Sequence, residues 1–142
     1  MLVRPARLDE ILALRHAVLR PGRPIDTAFF EGDDDETTVH VGAFAGSLLV
    51  GCATVMRRPL DGEEALQLRG MATAPDRMGR GIGRAVLRFV EEDLAHSMGV
   101  RLLWCNARTS ASGFYAGAGW RLASAAFEVP DVGPHVRMLR RL

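Results

Sequence analysis

The stretch from Leu66 to Leu94 does most to limit what this chain can become. Leu66, Leu68 and Met71 supply the apolar side of a strand, and Pro75 closes it because proline has no N–H to give a ladder. Gly79, Gly81 and Gly83 follow, where the backbone can turn with φ above zero and no side chains intrude. From Ile82, the apolar residues Ile82, Val86, Phe89, Val90 and Leu94 recur at the spacing of one helix face. The pattern predicts a strand, a tight turn, a glycine loop and a long helix, in that order.

The charges on this helix run against its dipole. An electropositive N-terminus normally carries Asp or Glu. This one carries Arg77, Arg80 and Arg84, with Arg88 a turn later, while Glu91, Glu92 and Asp93 sit in the later half. Each misplacement costs on the order of 0.3–1 kcal/mol. A local rule broken without visible compensation points to a functional site. The natural compensation is an anion, held by the free amides of Gly79 to Gly83 and faced by the arginines. A solvated arginine face on a plain loop is the simpler alternative, but it leaves the coincidence of glycines, helix start and arginines unexplained.

Two nucleotide motifs fit poorly. A Walker loop requires Gly-x-x-x-x-Gly-Lys-Ser/Thr, and the loop has no lysine. A dinucleotide fingerprint requires Gly-x-Gly-x-x-Gly directly after a strand. Here the third glycine comes one residue early, and Ala74-Pro75-Asp76-Arg77 intervenes. The segment from Ala74 to Leu87 instead resembles motif A of the GNAT family of N-acetyltransferases, whose loop follows Gln/Arg-x-x-Gly-x-Gly/Ala. Met78 occupies the Gln/Arg position, a departure from that pattern, with Arg77 beside it. The resemblance implies that the backbone of Met78, Gly79, Arg80, Gly81, Ile82, Gly83 and Arg84 binds the pyrophosphate of acetyl-CoA. It also implies that the strand backbone at Met71, Ala72 and Thr73 pairs with pantetheine and polarises the acetyl carbonyl.

The chain has 142 residues, the size of one domain, and residues 1–142 are read as such. With 18 basic and 17 acidic residues, the net charge of +1 gives no case for nucleic-acid binding. Cys52 and Cys105 lie in apolar runs and do not make a disulfide framework, so a reducing cytoplasm is expected. No signal core follows Met1 to Pro5. Val41 to Met56 is free of charge but falls short of the roughly 18 residues a membrane span needs. Gly42, Gly46-Ser47 and Gly51 break it into two strands and a turn, so no membrane partner is expected.

In order, Met1 to Arg4 reads as a strand stopped by Pro5. Leu8 to Leu19 reads as an amphipathic helix ending before Pro21-Gly22. Arg20-Pro-Gly-Arg-Pro forms a breaker-rich loop, and residues 21–36 hold a short helix about Asp26 to Phe30. The acidic run, Glu31 to Glu36, is either a solvated loop or a lip that attracts an amine. Thr37–Ala45 and Leu48–Arg57 form a hairpin, and Ala65 to Thr73 is the strand before the glycine loop. Gly99 stops the long helix. Arg101 to Cys105 is a strand that the crossover makes parallel to the earlier one. Thr109 or Ser110 caps a helix through Ala118. Trp120–Val129 and His135–Arg141 are the last strands. The order fits one α/β domain with a mixed sheet. It also resembles the GNAT order, which implies a mostly antiparallel sheet with helices on both faces.

A second constellation runs from Trp104 to Trp120. Asn106 ends a strand, and Tyr115, the one tyrosine, lies in the next helix. Packing beside Phe114 is its simplest role. A tyrosine also serves as an acid, since an ordinary phenol near pH 10 keeps its proton at neutrality. The segment resembles the GNAT pattern Asn-x-x-Ala-x-x-Phe-Tyr-x-x-x-Gly-Phe, with Trp120 in place of the last Phe. The resemblance assigns Tyr115 the protonation of the departing thiolate and places Asn106 near the pantetheine. Wider similarities, including Gly133-Pro-His-Val-Arg-Met, are to the small bacterial ElaA-like type and single out His135.

The resemblance thus implies transfer of an acetyl group from acetyl-CoA to a small-molecule or peptide amine, by direct attack in a ternary complex. No metal is expected, since no Cys/His cluster has ligand spacing. For the base, Glu31, Glu64, His40, His135 and a water relay all stay open. A non-catalytic CoA-binding or sensory module is the alternative, with a nucleotide-phosphate binder third. The acceptor is not specified, and a homodimer stays open because strand edges and helix faces pair without leaving a pattern.

Overall fold

The computed structural model describes residues 1–142. Its strands are β1 (Leu2–Ala6), β2 (Val39–Ala45), β3 (Leu48–Arg57), β4 (Leu66–Thr73), β5 (Leu102–Arg108), β6 (Arg121–Leu122), β7 (Phe127–Val129) and β8 (Gly133–Arg141). They form one sheet in the order β1-β2-β3-β4-β5-β8-β6, and β7 also pairs with β8. Only β4 and β5 are parallel; the other pairs are antiparallel. The expected mixed, mostly antiparallel sheet is therefore present.

Helix α1 (Leu8–Leu19) follows β1. Asp9 and Glu10 occupy its first turn, the favoured place for acids. Arg4 grips Glu10 from β1 through two nitrogens, at 2.8 and 3.3 Å. Helix α2 (Ile82–Phe89) leads through a π-helical turn at Val90–Leu94 into α3 (Ala95–Met98), and Gly99 ends the run in the left-handed region. Helix α4 (Ser112–Gly117) follows β5.

Alternation along the strands builds two cores. Val41, Ala43, Val50, Ala53 and Val55 face Ile82, Val86, Leu87, Val90 and Leu94 from the crossover helix. Each fully buried Val, Leu or Ile among them contributes about 1.5–3 kcal/mol. Cys52 and Ala72 face the other way, onto Ile11 of α1. Helices thus cover both faces, as the family resemblance implied.

The structure departs from the sequence reading in several places. Pro5 does not stop β1; it pairs with Val41 inside it. Because β1 is an edge strand, a missing N–H on its outer side costs the sheet nothing. β5 runs on past Asn106 to Arg108, since β8 pairs with it along its whole length. The Trp120–Val129 segment is two short strands separated by a bend, where Ser124 Oγ accepts the Arg137 N–H. No Thr109 or Ser110 side chain caps α4; a 3-10 turn at Thr109–Ala111 leads into it instead. The early loop holds a 3-10 turn at Ile25–Ala28.

Candidate functional site

The glycine loop and the head of α2 border an open groove of about 360 Å³. Gly79 and Gly81 take φ of 77° and 81°, and a Cβ on either would project into empty space. The loop is therefore left-handed by necessity and bare on its open side. The first helical bond of α2 runs from the Ala85 N–H to the Gly81 carbonyl. The amides of Ile82, Gly83 and Arg84 precede that ladder and are left to an external acceptor. Thr73, Arg77 and Met78 also border the groove, with Phe114 opposite. Arg80 stands exposed and does not border it. No acid lies in the first turn of α2. The acids in the later half are partly accounted for: Glu91 accepts the Trp120 indole N–H and pairs with Arg140 at 3.2 Å.

The groove leads to a cleft in the sheet. β4 and β5 pair only at Leu66↔Leu103 and Gln67↔Trp104. Beyond that they diverge, because β4 carries a bulge opposite Cys52–Thr54. Gly70 makes the bulge, at φ 60°, where a Cβ would strike Phe30 at 2.9 Å and Arg15 at 3.0 Å. The Ala74 N–H bonds back to Val50 on β3. By alternation, the backbone groups of Met71 and Thr73 turn to the opposite edge, toward the cleft. Ala72 sends its side chain to the α1 face instead.

The cleft opens into a second cavity, of about 340 Å³, bordered by Met71, Asn106 and Tyr115. The Tyr115 hydroxyl lies 3.6 Å from the Met71 sulfur. Phe114 and Trp120 hold the Tyr115 ring, with centroids 5.2 and 5.3 Å away. Burial, reinforced by the Cys105 thiol beside it, pushes the phenol pKa up. The proton therefore stays on the oxygen throughout the neutral range. Burial pushes Cys105 up to about 12 and Cys52 likewise to about 12, so neither is a nucleophile at neutral pH.

Of the four side chains considered as a base, only His135 borders this cavity. Its Nδ1 lies 2.8 Å from the Gly133 carbonyl. A carbonyl only accepts, so Nδ1 carries the hydrogen and the neutral ring keeps its lone pair on Nε2. Glu64 is tied to Arg57 at 2.7 Å, away from the cleft, and Glu31 is exposed. His40 is buried in a structural network, bonded to Thr54 Oγ1 at 2.8 Å and to the Asp33 carbonyl at 2.9 Å.

That network was not legible beforehand. Arg15 is fully buried on α1 and grips Asp33 through both terminal nitrogens, at 2.7 and 3.1 Å. Its guanidinium lies 4.1 Å from the centre of the Phe30 ring, and Phe30 in turn borders the cavity. The acidic run is thus neither a simple solvated loop nor a free lip, because one member holds the cavity floor from below. Three more arginines, Arg20, Arg69 and Arg108, border the cavity itself. A cation clustering that spans residues so far apart in the chain has no local signature.

Comparisons with known proteins bear on the family and the fold. Residues 34–122 match the model of the acetyltransferase (GNAT) domain family. The uncharacterized N-acetyltransferase YitI of Bacillus subtilis (strain 168) is 33% identical over 143 residues, covering 99% of this chain and 95% of that protein. Escherichia coli ElaA superposes with a TM-score of 0.82 at 17% identity, over 99% of this chain and 100% of that one. An aminoglycoside 6'-N-acetyltransferase complexed with coenzyme A superposes at 0.79 and 15% identity, over 99% and 97% of the two chains. The likenesses to solved structures speak for the fold, and the family match and the relative speak for descent: the chain belongs to the GNAT family and is a GNAT-type N-acetyltransferase.

Proposed function

We propose that the protein moves an acetyl group from acetyl-CoA to a primary amine by direct attack within a ternary complex. One observation carries the reading. A bare cradle of unbonded amides at the head of α2 lies beside a cleft in the sheet, and a buried, protonated tyrosine borders the cavity there. The residues fit the coenzyme: a diphosphate matches the cradle and its arginines, and an extended pantetheine arm matches the edge left open between β4 and β5. Acetyl-CoA supplies the activated acetyl group. The amides of Gly79 to Arg84 hold the diphosphate. The edge groups of Met71 and Thr73 bond the arm and polarise the acetyl carbonyl, a donor of this kind being worth roughly 3–4 kcal/mol. Asn106 lies on the cavity wall beside the arm.

His135 takes one proton from the substrate ammonium. The nitrogen–carbon bond forms as the carbon–sulfur bond breaks, and Tyr115 gives its proton to the sulfur. The nitrogen's second surplus proton restores the phenol through solvent, so one proton is released overall. The two buried free thiols suit a reducing cytoplasm.

Two measurements test this. Gly81→Val fills the cradle and forces a β-branched residue to φ 81°. Calorimetry is expected to show coenzyme A affinity lost while the protein stays folded; retained affinity would mean the cradle lies elsewhere. His135→Asn is expected to lower kcat by about 10²–10⁴-fold with coenzyme A affinity unchanged. A wild-type kcat would hand proton removal to water.

A further inference from the structure

The cavity beyond Tyr115 has a strongly one-sided charge. Arg20, Arg69 and Arg108 border it, and no Asp or Glu does. The three arginines converge. Arg20 and Arg108 each donate to one oxygen, the Leu19 carbonyl, at 2.9 and 2.8 Å. Arg20 and Arg69 both lie against the Phe30 ring, at 5.8 and 4.6 Å from its centre. None of the three forms an ion pair with an acid. Asp33, whose charge reaches Arg69, is committed to Arg15 and to the Phe30 N–H.

The end of α1 explains part of this arrangement. Leu19 is its last residue, and a cation at a helix C-terminus is favourable. One guanidinium satisfies that need; two on one carbonyl, with a third on the shared ring, exceed it. The excess is costly. Burial, and then the charges of Arg108, Arg23 and Arg15, push the Arg20 pKa down. Burial and then Arg58 do the same to Arg69, with Asp33 opposing. Like charges gathered in a half-buried place, with no partner of their own, are compensated by a ligand of opposite sign. Guanidiniums are suited to this, since their planar donors match the paired oxygens of a carboxylate or phosphate.

Size narrows the ligand further. The cavity of about 340 Å³ is at the small end for ligand sites and must also take the thioester end of the coenzyme. A bulky polycation would meet both a lack of room and a repelling wall. A small ammonium beside the same wall is tolerated only if the molecule brings its own negative charge.

We propose that the acceptor is a small primary amine bearing an anionic group, carboxylate or phosphate, which Arg20, Arg69 and Arg108 hold while its nitrogen faces the acetyl carbon. This rests on the acetyl-transfer reading above and names the substrate class of that same site. The arginines act on binding, so their loss is read chiefly in KM for the acceptor.

The test is acetyl transfer to O-phosphoserine, aspartate, ethanolamine, 1,3-diaminopropane and kanamycin, with coenzyme A affinity measured separately by calorimetry. The expected result is a kcat/KM for O-phosphoserine or aspartate about a hundredfold above ethanolamine, and higher still against the two polycations. The better of the two anionic amines identifies the anion. Arg69→Gln and Arg108→Gln are expected to raise KM for it tenfold or more, while coenzyme A affinity and melting temperature stay near wild type. Arg69→Lys, which keeps the charge but not the fork, recovers part of the loss. Preference for the diamine or kanamycin, ethanolamine as good as the anionic amines, or arginine variants with an unchanged KM would each overturn the inference and leave acetyl transfer standing. Normal coenzyme A binding with no transfer to either anionic amine would overturn it as well. A wild-type protein that does not bind coenzyme A would overturn the underlying reading, and this inference with it.

Discussion

Tyr115→Phe is expected to lower kcat by at least a hundredfold while leaving coenzyme A affinity and the fold intact. A sulfur departing into a cavity partly screened from water is reluctant to carry charge. A thiolate leaving there unaided is a poor leaving group, so a proton delivered as the bond breaks is worth about 10²–10⁴-fold. The phenol carries its proton at neutral pH and so has one to give. The fold tolerates the change because the lost hydroxyl contacts only sulfurs, which are weak partners: Met71 at 3.6 Å and the Cys105 thiol. The ring contacts with Phe114 and Trp120 stay in the variant. Steady-state rates beside a calorimetric titration separate the two effects. A kcat equal to wild type would reduce Tyr115 to a packing residue.

The second large effect is on stability. Asp33→Ala leaves the Arg15 guanidinium fully buried without its counter-charge. Removing one partner of such a pair costs about 3–5 kcal/mol. The double variant Arg15→Met, Asp33→Leu removes both charges and is expected to cost far less than the single change, since buried pairs often exchange for apolar residues with little loss. Urea unfolding of the two variants and wild type makes the comparison. A single variant no less stable than the double would mean that the pair is not coupled as drawn. The pair also ties the loop after α1 to the sheet: Arg15 holds the Ala28 carbonyl, and Asp33 accepts the Phe30 N–H. Loosening it therefore disturbs the arginine-lined cavity as well as the core.

The sequence was informative where a signal is local. Periodicity placed α1 at its observed ends and marked the buried face of the helix from Ile82 to Leu94, because one face of one element repeats at a fixed interval. The glycine pattern anticipated the left-handed turns at Gly79 and Gly81, because backbone conformation is a property of neighbouring residues, whereas Gly83 lies inside α2 and takes no positive φ. The signal failed where partners are distant. Asp33 meets Arg15 across 18 residues and two elements, and nothing in the acidic run distinguishes Asp33 from Asp34 or Asp35. Arg20, Arg69 and Arg108 come from α1's end, β4 and β5, so only the tertiary fold makes them one group. His135 stood among four equal candidates until topology removed Glu31, Glu64 and His40 from the cavity. Pro5 and the Trp120–Val129 segment depart from the sequence pattern for a related reason. Whether a strand tolerates a missing donor or a bend depends on which neighbour it has.

The parting of β4 from β5 has a mechanical consequence. The two halves of the sheet share only two rungs at their middle, so the apolar mass beneath the crossover helix binds one half to the other. A molecule threaded into the seam behaves there as a surrogate strand, satisfying main-chain groups that would otherwise face solvent. Occupancy of the seam then braces the whole fold, by RT ln(1 + [L]/Kd) for a ligand that favours the native state.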